Sequence, residues 1–543
     1  MTTESTAADI STYDPKALRD KWYREGWYSD LTCVDAMELG GSRYADVPVV
    51  YSGDTIREST VGEVHARAVE VATALQARGI GVGDAVAVQL ANGFECSATY
   101  EAVLLTGATL VPVVAIYGPN EVSFILEQSR ARVLIMPERI RSTRYSDRIP
   151  GYLSLPDLEL VVTVGTSDSG NLLEGVVDWD SLSVDRPYVK PAPHPDSVAV
   201  LVYTSGTTSA PKGVQHSHNS FLAEQRTAPQ LLSGAADAVH LVSFPPGHIA
   251  GVGSMMRPIL HGTRAVYMEA WDPSVAAGLI ARYRVTSTVG TPFHLTGILD
   301  LEGIGNKLST LREFLVGAAT MPDELGRRAE EAGIVTFRCY GSTEQPTISA
   351  SRVSDDAHAR TRTDGVPILG VEIRIIDESG ADVASGVEGE VVTRGPDQFI
   401  GYRDSSLDRA AFTEDGWMHT GDLGNLDSKG RLTITDRIKD VIIRAGETIS
   451  SGQIEDVLNQ HPSVSEAVVV AAPDERYGEV AAAVVILNLN ASIDLESIRS
   501  YFAKSGLAKQ KTPEKLLVVE EFPRTPVGKI RKADIRREYF PKM

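Results

Sequence analysis

Leu201-Val202-Tyr203-Thr204-Ser205-Gly206-Thr207-Thr208-Ser209-Ala210-Pro211-Lys212-Gly213 is the stretch whose reading decides this fold. Its first three residues close a run, Ser197–Tyr203, that reads as a buried β-strand. The residues after Tyr203 form a loop suited to an anion. Its glycines let backbone amides turn toward a bound group, five Ser and Thr residues supply hydroxyls, and Lys212 adds a mobile positive charge. The pattern G-x-x-x-x-G-K-[ST] fails, because position 211 is Pro and position 213 is Gly. The loop therefore reads as a triphosphate grip of another class. A flexible Ser/Thr linker is the competing reading, but a linker has no need of Pro-Lys-Gly after a buried strand.

On both sides of the loop, from about residue 50 to 345, short β-rich runs alternate with helical segments. Ala85–Leu90, Thr109–Val114 and Arg132–Met136 form one series of strands. Val239–Phe244, Arg264–Met268, Thr286–Val289, Arg312–Val316 and Ile334–Cys339 form another. Such alternation predicts α/β layers with largely parallel sheets, whose ligands bind beyond the carboxyl ends of strands. Beyond about 345 the strands shorten and Gly-rich turns appear, which predicts a small β-rich subdomain over about 346–436. A further mixed α/β stretch after 436 is long enough for a separate small domain. The expected division is an N-terminal domain 1–436, a hinge 437–440 and a C-terminal domain 441–543.

Composition excludes several classes. Apolar residues are 43% and charged residues 23%, ordinary for a globular enzyme, while 543 residues exceed one hydrophobic core. A net charge of −20 argues against nucleic acid as the main partner. Three cysteines, Cys33, Cys96 and Cys339, form neither a disulfide framework nor a metal motif. No run of about 18 apolar residues occurs. A polar, acidic N-terminus is no signal peptide, so a cytoplasmic location is expected.

The loop closely resembles the signature loop of the adenylate-forming superfamily, which includes acyl- and aryl-CoA synthetases. Ser209 stands where that family has Gly. Further motifs follow in the family's order: Tyr340-Gly341-Ser342-Thr343-Glu344, Gly389-Glu390 with Arg394-Gly395-Pro396 and Gly401-Tyr402, Gly416-Trp417 with His419-Thr420-Gly421-Asp422, Asp436-Arg437 with Lys439-Asp440 and Gly446, and Pro523–Lys529. The ordered set is far more specific than any one member.

The resemblance implies a reaction in two halves. A carboxylic acid is joined to ATP as acyl-AMP with release of pyrophosphate, and coenzyme A then takes the acyl group. It implies that Thr204, Ser205, Gly206, Thr207, Thr208 and Lys212 hold phosphates. Tyr340, Gly341, Ser342 and Thr343 line the adenine and α-phosphate, Asp422 and Arg437 take the ribose, and Glu344 with Thr207 holds Mg²⁺. Lys529 would offset the charge that builds as carboxylate meets α-phosphate. The same lysine would then leave by rotation about Lys439, bringing Arg444 and Gly446 to the thiol. Thr343, Glu344 and Lys212 join Lys529 as the catalytic set. Ser451 and Gln453 depart from the family's Pro and Glu.

Phe244-Pro245-Pro246-Gly247-His248 occupies the family's acyl-pocket position. No Asp or Glu occurs between Leu241 and Met268, which argues against an amino-acid substrate. His248, Ile249, Met255, Phe293, Gly317, Ala318, Ala319 and Cys339 are the expected walls. The wording around Trp271-Asp272-Pro273 looks like that of ligases for alicyclic, aromatic or medium-chain acids. Two alternatives remain open on the sequence: an adenylating enzyme that loads a carrier protein, and a non-catalytic nucleotide sensor. The sequence does not set the oligomeric state, and a homodimer stays open.

Overall fold

The computed structural model describes residues 15–140, 143–165, 173–204, 211–227, 231–232, 234–235, 237–303, 305–317, 321–438, 440–444, 447–474, 476–505, 507, 509–525 and 528–541. Among these residues, no helix is long and apolar enough to cross a membrane.

Two large sheets dominate. In the first, six neighbouring strands pair in parallel: Val198–Thr204, Thr109–Pro112, Ala85–Val88, Ala131–Pro137, Leu160–Val164 and Val176–Asp178. Their apolar runs are buried almost throughout, as expected of parallel strands covered on both faces. The second sheet carries Pro48–Ser52, Arg264–Met268, Val239–Val242, Ser287–Gly290, Glu313–Val316 and Val335–Tyr340, again in parallel. The α/β expectation and its strand series thus correspond to the observed sheets. Between them lies the main core, which takes in most of the helix Phe94–Leu105, whose residues are all buried except Glu95.

Several strands have no precursor in the sequence reading, and one of them borders the phosphate loop. Lys212–Ser217 runs antiparallel to Val198–Thr204, with Thr204 opposite Lys212. The residues on either side of the phosphate loop, Thr204 and Lys212, are therefore paired with each other. This second strand carries Lys212, Gln215, His216 and Ser217, so no apolar alternation announces it.

Glu372–Ile376, Gly389–Arg394, Met418–Leu426 and Leu432–Arg437 form a four-stranded antiparallel sheet. Ser349–Ala350 and Val366–Pro367 extend the second large sheet instead. The first strand of the four-stranded antiparallel sheet is thus Glu372–Ile376. The C-terminal unit is built on Val464–Asp474 and Gly478–Leu487, flanked by Ile442–Arg444, Glu447–Ile449 and Lys515–Val518.

Two contacts seat this unit. Asp436 accepts from Ser450 Oγ at 2.9 Å, Ser451 Oγ at 3.1 Å and Gly452 N at 3.2 Å, a carboxylate at the N-terminus of helix Ser451–Asn459. At the other end Gly528 packs on Phe293: a Cβ placed there would lie 3.2 Å from Phe293 Cδ1 and 3.3 Å from Thr291 Oγ1. The Arg524 guanidinium sits 5.6 Å from the Phe293 ring centroid.

Candidate active site

Strand Val335–Tyr340 delivers Tyr340 to the junction of the second large sheet and the antiparallel sheet. Its hydroxyl donates to Asp422 Oδ2 at 2.6 Å. Asp422 also meets Arg437 Nε at 3.0 Å, because the two residues face each other across adjacent strands. Burial and the Asp422 carboxylate hold the Tyr340 phenol well above its ordinary value, so it stays a donor. The three residues expected around the nucleoside are therefore in one cluster.

After Tyr340 the chain makes a tight turn. Ser342 N donates to Gln345 O at 2.9 Å and Gln345 N to Ser342 Oγ at 3.2 Å. Gly341 is required here, since a Cβ would sit 2.1 Å from Pro346 O. His216 Nε2 donates to the Thr343 carbonyl at 2.8 Å, which ties the turn to the strand beyond the phosphate loop. Burial lowers His216 to about 4, so this imidazole is neutral.

Glu344 Oε1 accepts from the Tyr402 hydroxyl at 2.8 Å, and its own carbonyl accepts from Phe399 N at 2.7 Å. The Lys212 ammonium lies 5.1 Å from the Tyr402 ring centroid. Tyr402 thus links the lysine of the phosphate loop to the carboxylate of the turn. Among the described residues, no cluster of three or more His, Cys, Asp or Glu could hold a metal unaided. One anchored carboxylate is nonetheless what Mg²⁺ takes when substrate phosphates and water fill its other positions, so Glu344 fits that ion.

A buried polar network backs the turn. Gln345 Nε2 donates to Asp397 Oδ1 at 2.9 Å and Thr393 Oγ1 to Gln345 Oε1 at 2.7 Å, while Thr347 Oγ1 donates to Glu224 Oε1 at 2.9 Å. Glu224 Oε2 and Asp397 Oδ2 find no donor among the described residues. Burial raises both carboxyls, and their mutual repulsion adds to the rise at Asp397.

His248 caps the helix Ile249–His261: Ala250 N donates to its Nδ1 at 3.3 Å, leaving the proton on Nε2. Burial first, then the nearby Lys529 ammonium, lowers His248 to about 4. Lys529, from the C-terminal unit, thus lies near enough to act on the charge of His248. Phe293 is 46% exposed and meets the loop that carries Lys529, so it is a docking surface rather than an interior wall. Ile249 and Met255 belong to the inter-sheet core, where Ser97 Oγ meets Met255 Sδ at 2.8 Å. Gly317 leaves just enough room for Cys339, whose Sγ would lie 3.2 Å from a Cβ at 317. Burial pushes the Cys339 thiol up to about 12.

Arg444 pairs with Glu514 at 2.8 Å and lies 3.8 Å from the Tyr477 ring centroid, within the C-terminal unit. Ser205, Gly206, Thr207, Thr208, Ala318, Ala319, Lys439 and Gly446 lie outside the described residues. Sequence reasoning overlooks His216, Gln345 and Glu224. It places Tyr402 within a motif but gives it no role. The signal for Tyr402 is present, as an aromatic hydroxyl directly after a motif glycine.

A model of AMP-binding enzymes matches residues 38–403, and one of the AMP-binding enzyme C-terminal domain matches 453–529. The chain is 35% identical over 476 residues to a medium-chain fatty-acid–CoA ligase of Escherichia coli, covering 86% of this chain and 83% of the relative. It is 29% identical over 520 residues to 3-[(3aS,4S,7aS)-7a-methyl-1,5-dioxo-octahydro-1H-inden-4-yl]propanoyl:CoA ligase of Rhodococcus jostii, covering 93% and 98%. Among solved structures, ATP-bound MatB of Rhodopseudomonas palustris superposes with a TM-score of 0.84 at 25% identity, covering 94% and 99%. With the motifs in order, Tyr340 joined to Asp422 and Arg437, and Tyr402 linking Glu344 to Lys212, the chain belongs to the family of AMP-binding enzymes, as an AMP-forming acid–CoA ligase.

Proposed function

We propose that the acid is alicyclic, aromatic or of medium chain length, and that the conformation described here is the one that forms the acyl-adenylate. The observation that carries the second part is the seating of Lys529 beside His248, with Gly528 on Phe293. An ammonium there stands where carboxylate and α-phosphate would meet, and it offsets the repulsion between two anions. Neutral His248 offers an N–H to the incoming carboxyl without adding charge. Tyr340 stacks on the base, Asp422 and Arg437 take the ribose hydroxyls, and Thr343 is presented by the turn that His216 braces. Lys212 and the phosphate loop hold the leaving pyrophosphate. Bound Mg²⁺ would shield phosphate charge, with Glu344 as its protein ligand. Rotation at the 437–440 segment would then remove Lys529 and present Arg444 to the thiol.

The acid class is supported by three features. No carboxylate lies on the cleft segment 242–267 to pair an amino-acid ammonium. Apolar side chains surround Cys339. Two relatives are named for a medium-chain acid and for a bicyclic propanoate. Carboxylate-dependent exchange of pyrophosphate into ATP across a panel of acids tests the class. Strong exchange with short or amino acids, and none with the three named classes, would refute it.

A further inference from the structure

Glu344 and Gln345 are both held by one short run of chain, residues 393–402. The Glu344 carbonyl accepts from Phe399 N at 2.7 Å, and its Oε1 accepts from the Tyr402 hydroxyl at 2.8 Å. Two further contacts from the same run go to the side chain of Gln345. Thr393 Oγ1, on strand Gly389–Arg394, donates to Gln345 Oε1 at 2.7 Å. Gln345 Nε2 donates to Asp397 Oδ1 at 2.9 Å.

A glutamine amide carries an acceptor at one end and donors at the other. A hydroxyl meets the acceptor here and a carboxyl oxygen meets a donor, so the amide has one orientation. Gln345 and Thr393 are 0% exposed, and Asp397 is buried beside them. Unmaking either bond would leave a polar atom inside the protein without a partner. The main chain of Gln345 is engaged as well. Its N–H donates to Ser342 Oγ at 3.2 Å and its carbonyl accepts from Ser342 N at 2.9 Å. Thr343 and Glu344 therefore stand between two anchored ends.

The fit around the amide is close. A Cβ at Gly395 would lie 2.4 Å from Gln345 Nε2 and 2.7 Å from Asp397 Oδ1. The glycine between Arg394 and Pro396 is thus what admits the Gln345 side chain. Such a clamp is more than a core contact needs, but it suits a neighbour whose carboxylate must stay in place. Mg²⁺ demands near-ideal octahedral geometry and tolerates little displacement of a ligand.

We propose that Gln345 is a positioning residue: its clamped amide fixes the place of Glu344 and so the grip of the enzyme on metal-bound ATP. The inference rests on the reading of Glu344 as the Mg²⁺ ligand. Gln345 itself, fully buried, acts only through its neighbour.

The test is calorimetric titration of the full-length enzyme with ATP, in EDTA and in saturating Mg²⁺. The quantity read is the ratio of the two affinities, which measures the coupling of metal to nucleotide. Gln345→Met should shrink this ratio by about tenfold, the scale of buried hydrogen bonds left unmade. Affinity in EDTA should stay within about twofold, the scatter of an uncoupled change. Thr393→Val removes one donor, suits a strand, and should shrink the ratio roughly threefold; it decides the matter if Gln345→Met does not fold. Gln345→Glu sets two carboxyl groups face to face and should also shrink the ratio. Adding Asp397→Asn exchanges donor and acceptor, and should recover most of that loss.

Glu344→Gln separates the two levels of the argument. If it shrinks the ratio while Gln345→Met and Thr393→Val do not, Gln345 has no positioning role and Glu344 keeps its own. Equal weakening in EDTA and in Mg²⁺ would likewise reduce Gln345 to a structural residue. A ratio untouched by Glu344→Gln would reject the metal reading and the role of Gln345 with it.

Discussion

Tyr402 donates its phenolic hydrogen to Glu344 at 2.8 Å while its ring faces the Lys212 ammonium. One side chain thus orients a carboxylate from one motif and steadies a lysine from another. A carboxylate held this way need not reorganise when phosphates arrive. Tyr402→Phe keeps the ring and removes the hydrogen bond. A hydrogen bond to a charged group is worth about 1.5–3 kcal/mol, so kcat/KM for ATP should fall roughly ten- to hundredfold. The apparent requirement for Mg²⁺ should rise with it. Unchanged ATP and Mg²⁺ kinetics would show that Glu344 is positioned without Tyr402.

In the proposed adenylating conformation Lys529 reaches the acyl end from a separate unit, which would separate the half-reactions. Lys529→Ala should lower acyl-adenylate formation by about a hundredfold or more, as for a lost charge-stabilising group. Thioester formation from supplied acyl-adenylate and CoA should persist at near wild-type rate. Equal loss in both halves would contradict the assignment.

Phe293 supports the Lys529 loop through Gly528 and Arg524 without taking part in chemistry. Phe293→Ala should reduce adenylation by roughly tenfold, about 1.4 kcal/mol of lost docking, and spare the thiol half. Wild-type adenylation in this variant would mean that the loop seats itself without the ring.

Five imidazoles, those of His216, His218, His240, His248 and His294, are lowered to about 4 by burial. In the unfolded chain each titrates near 6.5, so that state binds more protons between these values. Stability therefore falls as pH drops from about 6.5 to 4. His216 alone accounts for about 3 kcal/mol across that window. His216→Gln should flatten the decline in melting temperature with falling pH and reduce proton uptake on unfolding. An identical pH slope in wild type and variant would refute neutral burial of His216.

Much of this architecture is legible in the chain, because parallel strands covered on both faces appear as unbroken apolar runs. Val198–Thr204 and Arg264–Met268 are read from the sequence almost at their observed bounds. Lys212–Ser217 and Met418–Leu426 escape such a reading because polar residues and glycine interrupt any alternation. At the site, motifs locate Tyr340, Glu344 and Asp422, but spacing cannot tell which helix face is turned inward. Ile249 and Met255 resemble pocket walls for that reason, yet both are buried in the inter-sheet core, while the small Ala250 and Ser254 keep accessible surface. Ser451 reads in sequence as a mild departure from a family pattern. In the fold its hydroxyl donates to Asp436 and accepts from Lys532 Nζ at 2.8 Å, fastening the C-terminal helix at the domain boundary. A long-range latch of this kind leaves no local trace.

The loop of Gly528 and Lys529 settled over Phe293 has a consequence for traffic through the enzyme. In the adenylating conformation proposed above, it would stopper the mouth of the acyl cleft while it rests there. A free acid must slip in beforehand, and the mixed anhydride made behind the stopper is sheltered from hydrolysis. The same piece that quickens the first step acts as an airlock, opening to the thiol only after the water-labile product exists.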